Sequence, residues 1–318
     1  MNVLISSAGR RGALVRLFQD ALRPTGGRVL CTDAGVTSAA CRLSDGWTQV
    51  PRCTSPEFID SLLDYCRAES IGLIIPTIDT ELPILAAHRE RFLKAGIRIN
   101  VSDPAAIAIA CDKQATHNFF RQHGLPTVTH YDAAVVPPRT AYPLIIKPRA
   151  GSASIGVQKV VDEEEYLFFI RRTKDPVVQS VATGPEYTVN FFIARRGRCV
   201  TAVPHRRIET RGGEVSKGIT ERQPALESIA QRLAATLPGG WGAWCFQAFL
   251  TESGPVLIEL NARFGGGYPL AHAAGARFPQ WLLDDAAGQP LPTTCDWTPG
   301  LVMTRWDDAV FYREGAGT

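Results

Sequence analysis

At 318 residues, 45% hydrophobic and 20% charged, the chain is long enough for two or three modest domains with a well-buried core. A net charge of only +3, with no basic stripe carrying interleaved aromatics, excludes nucleic acid as a partner. The lack of any run of about 18 apolar residues excludes a membrane-spanning helix.

The N-terminus, Met1-Asn2-Val3-Leu4-Ile5-Ser6-Ser7, lacks the basic and long apolar regions of a signal peptide and reads as a first β-strand. Eight cysteines without a CxxC pair argue against a zinc or redox motif, and are expected to be reduced thiols of a cytoplasmic protein. From Val3–Ser6 onward, strand and helix patterns alternate. A helix is expected over Ala13–Leu22, a strand over Arg28–Thr32, a helix over Pro56–Glu69 and an apolar strand over Ile71–Ile75. A helix around Leu82–Lys94 and a short strand at Arg98–Val101 follow. This alternation predicts a doubly wound parallel sheet, in which ligands gather at the carboxyl ends of the strands.

Two polar clusters lie at such ends. Ser6-Ser7-Ala8-Gly9-Arg10-Arg11-Gly12 lacks the G-x-G-x-x-G spacing of a dinucleotide site. Its arginines, above a helix N-terminus, favour a carboxylate or phosphate, making Gly9 and Arg10 candidate substrate contacts. In Thr77-Ile78-Asp79-Thr80-Glu81, the carboxylates of Asp79 and Glu81 either hold a substrate ammonium group or cap a helix.

Helices at Pro104–Cys111 and Lys113–His123 precede the strand Leu144–Pro148. A glycine-serine loop, Gly151-Ser152-Ala153-Ser154-Ile155-Gly156, then leads into the strand Val157–Val161. Unlike a Walker A loop this one joins two strands, and its exposed backbone N–H groups suit phosphates. Only six of the 34 basic residues are lysine, so a lysine that persists is a candidate for a position needing a compact point charge. Lys113, Lys147 and Lys217 fall inside the segments that carry chemistry.

Farther on, Asp175–Val181 ends in Gln179-Ser180, and Glu186, Thr188 and Asn190 share one face of the next strand. The cationic segment from His205 to Lys217 is either a phosphate-neutralising lid or a solvated loop. Leu226–Leu237 is an amphipathic helix. The strand pair Trp244–Phe249 and Val256–Phe264 would bring Gln247 beside Glu259, with Asn261 and Arg263 on the same face and Val256, Ile258 and Leu260 directed into a core. Such an oxygen-rich pair suits a hard cation.

With these pieces in order, the chain resembles the ATP-grasp superfamily, in particular its carbamoyl-phosphate-synthase-like members. The resemblance rests on Asp112-Lys113, Ile146-Lys147-Pro148 with its Gly-Ser loop, Gln179 followed by Gly184-Pro185-Glu186, Gln247, and Glu259-Leu260-Asn261-Ala262-Arg263. It runs from Met1 to about Arg313. It implies an N-terminal Rossmann-like domain over residues 1–103, a small ATP-grasp lobe over 104–181 and a large lobe with the metal site over 182–318. One module, where carbamoyl phosphate synthase has two, makes carbamoyl phosphate an unexpected product.

By position, the resemblance implies that Lys113, Lys147, Ser152 and Ser154 meet ATP phosphates. Gln179, Ser180 and Ala182 would meet the base, and Glu186 the ribose. Gln247, Glu259 and Asn261 would bind Mg²⁺ or Mn²⁺, and Arg263 would stabilise the acyl-phosphate; in the ligase mechanism Arg211 and Lys217 are expected to join it in catalysis by holding the phosphates from the lid side. Gly266 and Gly267 would lie beside the acceptor. Gln179 stands where the family often has glutamate, and Gln247 matches only the carbamoyl-phosphate-synthase-like branch. The implied activity is ligation of a carboxylate to an amine through an acyl-phosphate, releasing ADP and phosphate; homodimers are common in the family. A kinase, a thiol ligase and a non-catalytic nucleotide-binding module are the alternatives.

Overall fold

Short apolar runs rich in Val, Ile and Leu build the first sheet of the protein. The computed structural model describes residues 1–151 and 155–313. Strands β1 (Asn2–Ser6), β2 (Val29–Asp33), β3 (Trp47–Gln49), β4 (Ile71–Pro76) and β5 (Arg98–Ile99) lie parallel in the order β3-β2-β1-β4-β5. Val3, Leu4 and Ile5 of the central strand are all fully buried, as a sheet covered on both faces requires. The helices following these strands are α1 (Gly12–Leu22), α2 (Ala39–Leu43), α3 (Phe58–Ala68) and α4 (Leu82–Lys94). Boundaries fall within two residues of those expected; β3 and α2 were not anticipated.

Helices α5 (Pro104–Ala110) and α6 (Lys113–Gln122) lead to a second sheet. Asp112 caps α6 by accepting from the N–H groups of Gln114 and Ala115, and is clamped by Arg149, which donates from Nη2 at 2.6 Å. This ties the start of α6 to the end of a strand of the second sheet. That sheet is antiparallel and contains β6 (His130–Tyr131), β7 (Leu144–Pro148), β8 (Gln158–Val160) and β9 (Pro176–Ser180) in the order β6-β9-β7-β8. It has a small core of its own from Leu144, Ile146, Val160, Val178 and Tyr166 of α7 (Glu163–Ile170). Helix α7, capped by Asp162, was also not anticipated.

The third sheet contains β10 (Glu186–Ala194), β11 (Arg198–Arg211), β12 (Glu214–Thr220), β13 (Gly242–Thr251), β14 (Gly254–Asn261) and β15 (Val302–Thr304), in the order β14-β13-β10-β11-β12-β15. Tyr187, Val189 and Phe191 alternate along β10 into a core beneath α8 (Pro224–Thr236), leaving Glu186, Thr188 and Asn190 on the other face. That core also contains Leu4, Leu30 and Ile74, so the first and third sheets are packed through common apolar clusters. Phe192 of β10 joins a second such cluster with Phe18 of α1 and Phe278 and Trp281 of α10 (Phe278–Ala286), which follows α9 (Tyr268–Ala273). The segment from His205 to Lys217 is neither a free lid nor a loop. It is the antiparallel hairpin β11–β12, turned at Gly212-Gly213, both with positive φ. Among the described residues no helix is long and apolar enough to cross a membrane.

The connection from β9 to β10 passes through Gly184, whose φ is +121° and where a Cβ would fall 2.2 Å from the Leu250 carbonyl oxygen. Gly184→Ala is therefore expected to cost about 2–4 kcal/mol in urea unfolding, since backbone rather than a flexible side chain must yield.

Candidate active site

Antiparallel register assembles a row of polar side chains across three strands. Thr188 of β10 is opposite Gln247 of β13, which is opposite Glu259 of β14; two pairs along, on the same face, Asn190, Cys245 and Asn261 form a parallel row. A β-bulge interrupts β14: Gln247 pairs with Glu259 but Ala248 pairs with Leu257, leaving Ile258 unmatched. Of the three residues expected in the core, only Leu260 is there. The bulge reverses the alternation, so that Leu257 is buried while Ile258 joins Glu259 in lining a cavity.

This cavity, of about 410 Å³, lies between the second and third sheets. Lys113, Lys147, Gln179, Ser180, Ala182 and Glu186 all line it. Lys147 is buried on β7, and burial brings its ammonium pKa down to about 8; Glu259 opposes that shift and Lys113 adds to it. Lys113 is likewise lowered by burial, and donates to the carbonyl of Gly151 at 2.7 Å. Gln179 is buried, and among the described residues its Oε1 has no hydrogen-bond partner. An orphaned acceptor at the end of an open cavity fits a ligand that brings a donor, as the amino edge of a purine does. Ser152 and Ser154 lie outside the described residues.

A second cavity, of about 240 Å³, adjoins the first and shares Arg207, Gly213, Gln247 and Glu259 with it. Its walls include Gly9, Arg10 and Arg11 from the loop after β1, Asn261 and Arg263, and Gly265, Gly266 and Gly267. Arg263 is buried and held by Asp79 through two hydrogen bonds of 2.7 and 3.0 Å; it also donates to Asn261 Oδ1 at 3.2 Å. Burial is the largest single influence and opposes its charge, but Asp79 with the other negative groups around it, Glu259 included, together outweigh burial and the pKa is raised. The glycines are sterically required. A Cβ on Gly266 would meet the Glu214 carboxylate at 2.5 Å, and one on Gly267 the His205 ring at 2.6 Å. Burial, with Arg207 nearby, lowers the His205 pKa to about 3, so the imidazole is neutral.

Several expectations are corrected. Glu81 is fully buried and outside both cavities, accepting from the hydroxyls of Ser6 and Ser7 and from the amide of Thr77. It is the capping alternative that holds there, and Asp79 is committed to Arg263 rather than free for an ammonium group. Lys217 and Arg211 line neither cavity; they pair with Glu209 and Asp307 on the exposed part of the hairpin. The cation that does reach the junction of the cavities is Arg207, with its side chain 6% exposed and paired with Glu186. Period-two reading from Thr188 through its partner His205 reaches Arg207. Beyond it, register shifts at Arg207/Glu209 and Glu209/Thr210 break the alternation. Burial raises the Glu186 pKa despite Arg207.

The donor set suits a hard, weakly held cation. Gln247, Glu259 and Asn261 supply two amide oxygens and one carboxylate, too few for a tight all-protein cage but compatible with a metal that shares phosphate ligands. Among the described residues there is no cluster of three His, Cys, Asp or Glu side chains.

Comparison with known proteins agrees with this geometry. Residues 3–100 match the model of the PylC-like N-terminal domain, and residues 110–267 that of the ATP-grasp domain. The D-alanine–D-alanine ligase of Ralstonia pickettii is 29% identical over 64% of this chain and 71% of its own length. The phosphoribosylamine–glycine ligase of Chlorobaculum tepidum is 26% identical over 65% of this chain and 56% of its own. Among solved structures, an L-amino acid ligase from Bacillus licheniformis superposes with a TM-score of 0.69 at 19% identity, over 92% of this chain and 75% of that one.

Two expectations for stability follow. Glu81→Ala removes the acceptor of four donors, those of Ser6 and Thr77 buried and those of Ser7 and Ile78 half-buried, and should cost about 2–4 kcal/mol in urea unfolding, whereas Glu81→Gln, which keeps one oxygen, should cost less than half as much. Lys147 has a folded-state pKa of about 8, below the unfolded value of about 10.4. The folded state therefore binds fewer protons between those values, and stability rises with pH across that window. Lys147→Met should stabilise the ligand-free protein at pH 7 by about 1–3 kcal/mol, with the gain shrinking towards pH 10, while removing nucleotide binding in calorimetric titration.

Proposed function

We propose that this chain, which belongs to the ATP-grasp superfamily, is an ATP-dependent ligase that joins a carboxylate to an amine and releases ADP and phosphate. The observation that carries this reading is the meeting of two cavities at Gln247, Glu259 and Arg207. One is lined by two lysines and has the size and the orphaned acceptor that suit a nucleotide. The other contains Arg263 and is walled by the N-terminal loop. A phosphoryl group transferred at the junction would pass from a molecule in the first cavity to one in the second.

In this reading the Gln179–Ala182 segment receives the base, Glu186 the ribose, and Lys113 and Lys147 the phosphates. A bound Mg²⁺ at Gln247, Glu259 and Asn261 would offset charge on the phosphate tail. The carboxylate oxygen of the acid forms a bond to the γ-phosphorus as the bond to ADP breaks, giving an acyl-phosphate. The amine nitrogen then attacks the acyl carbon, expelling phosphate and losing a proton. Arg263, fixed by Asp79, is already oriented towards the site where negative charge builds up in both steps, so little reorganisation is required. Gly151 and Ile155 line the first cavity, and its buried walls, Lys147 and Gln179 among them, limit access of water to the acyl-phosphate.

The relatives support this reading because ligases joining an acid to an amine are prominent among them. A coupled assay of ADP release, with acids and amines supplied singly and in pairs and mass spectrometry on each hit, tests it. Release is expected to require an acid, and amide to form only when an amine is also present. Glu259→Ala should lower the rate by at least about 100-fold; unchanged turnover would remove Glu259 from the site. In the ligand-free protein the Lys147 charge is half lost at about pH 8 and falls away as pH rises further. Nucleotide affinity should accordingly weaken as pH rises above about 8, and a dissociation constant flat from pH 7 to 9.5 would argue against Lys147 as a phosphate contact.

A further inference from the structure

The smaller cavity holds more positive charge than its own carboxylates neutralise. Both oxygens of Glu214 are taken, by Arg11 at 3.0 Å and Arg305 at 3.4 Å. Arg263 is matched by Asp79, and Arg207 by Glu186. Arg10, an exposed residue, lines the same cavity; its charge helps to lower the Glu214 pKa, but among the described residues no carboxylate lies within ion-pair distance of it.

The loop that presents Arg10 is held firmly. The Gly9 amide donates to Asp33 Oδ2 at 2.7 Å, and its carbonyl accepts from Ser38 Oγ and from the Ala40 amide at 3.0 and 3.1 Å. From this anchored turn the Arg10 guanidinium reaches the hairpin, lying 3.7 Å from where a Cβ on Gly212 would be. Arg10 therefore spans from the parallel sheet to the β11–β12 turn, across the space a substrate enters.

We infer that, given the ligase reading above, the acid substrate carries a second anionic group, a carboxylate or a phosphate, and that Arg10 receives it while the reacting carboxylate lies towards Arg263. An acid with an uncharged tail would leave Arg10 with water and a longer-range attraction to Glu214, whose oxygens Arg11 and Arg305 already hold. A zwitterionic amino acid would bring an ammonium group to a cavity whose carboxylates are already paired, Glu259 excepted, and Glu259 belongs to the cation set. A guanidinium fork matches carboxylate and phosphate oxygens in two-point contact. Arg10 is thus a specificity determinant for the tail of the acid, not a participant in phosphoryl transfer.

The test measures ADP release by the full chain with Mg-ATP and matched acids without an ammonium group: butyrate against glutarate, glutaramate against glutarate, and 3-hydroxypropionate against its O-phosphate, each with glycine or ammonium as the amine. A dianionic member is expected to have a KM at least about tenfold below its partner's, the second and third pairs separating carboxylate from phosphate recognition. Arg10→Gln should raise that KM about tenfold, with kcat changed by less than about twofold, and Arg10→Lys should restore part of the preference. Arg16→Gln, an exposed α1 position outside both cavities, should keep the wild-type preference; melting curves establish that each variant is folded. Equal KM values within every active pair, or an Arg10→Gln effect equal on both members, would overturn the inference and leave the ligase reading intact. No ADP release with any acid, from protein that still binds ATP, would remove the ligase reading and this inference together.

Discussion

The site depends on the ion pair between Arg263 and Asp79, which joins residues 184 positions apart. A guanidinium buried to this degree is sustained only by a matched carboxylate, because desolvation of an unpaired charge costs several kcal/mol. Asp79 comes from the turn after β4 of the parallel sheet, and Arg263 follows β14 of the large antiparallel sheet. The pair therefore fixes how the two sheets meet. It orients the arginine through two hydrogen bonds and sets Asn261 Oδ1 beside it. Glu81 steadies the same turn from below by gathering the donors of Ser6, Ser7 and Thr77. The second cavity owes its shape to these contacts.

Electrostatics across the paired cavities follow one pattern. Positive side chains are buried beyond what solvation favours, and most are matched by a carboxylate on a neighbouring strand. Lys147 and Arg10 stand at opposite ends of this arrangement. Lys147 is buried and uncomfortable, its pKa drawn down by burial, so an incoming polyanion relieves a cost the fold already bears. Arg10 is exposed and, among the described residues, in no ion pair; its loop is anchored through Gly9, and only a longer-range attraction links it to Glu214. Both favour anions, one by desolvation and one by pre-organisation. The glycines at 266 and 267 serve the same end passively, since a side chain there would overlap Glu214 or His205, while one at 265 would press tightly against Cys245.

Most of the local architecture was legible in the chain. The alternation of strand and helix through the first hundred residues, the strand at Leu144–Pro148 and the polar face of Glu186, Thr188 and Asn190 all follow from the backbone periods of 3.6 and 2. The juxtaposition of Gln247 and Glu259 was also readable, because an antiparallel pair with a short connection has few registers available. Where local period failed, the cause was an irregularity it does not encode. One extra residue at Ile258 turned an expected core position towards the nucleotide-sized cavity, and register shifts in β11 moved Arg211 and Lys217 outward while Arg207 stayed within.

The sequence by itself therefore determined the kinds of side chain each strand face presents, since covalent geometry alternates them without reference to the rest of the molecule. Which charges neutralise one another was decided only by the tertiary structure. Asp79, Glu81, Arg10 and Arg11 look alike as candidates along the chain, yet one holds Arg263, one caps a turn, one pairs with Glu214 and one is left unpaired among the described residues. Coulomb attraction and desolvation depend on distance and burial, and both come into being when the three sheets pack.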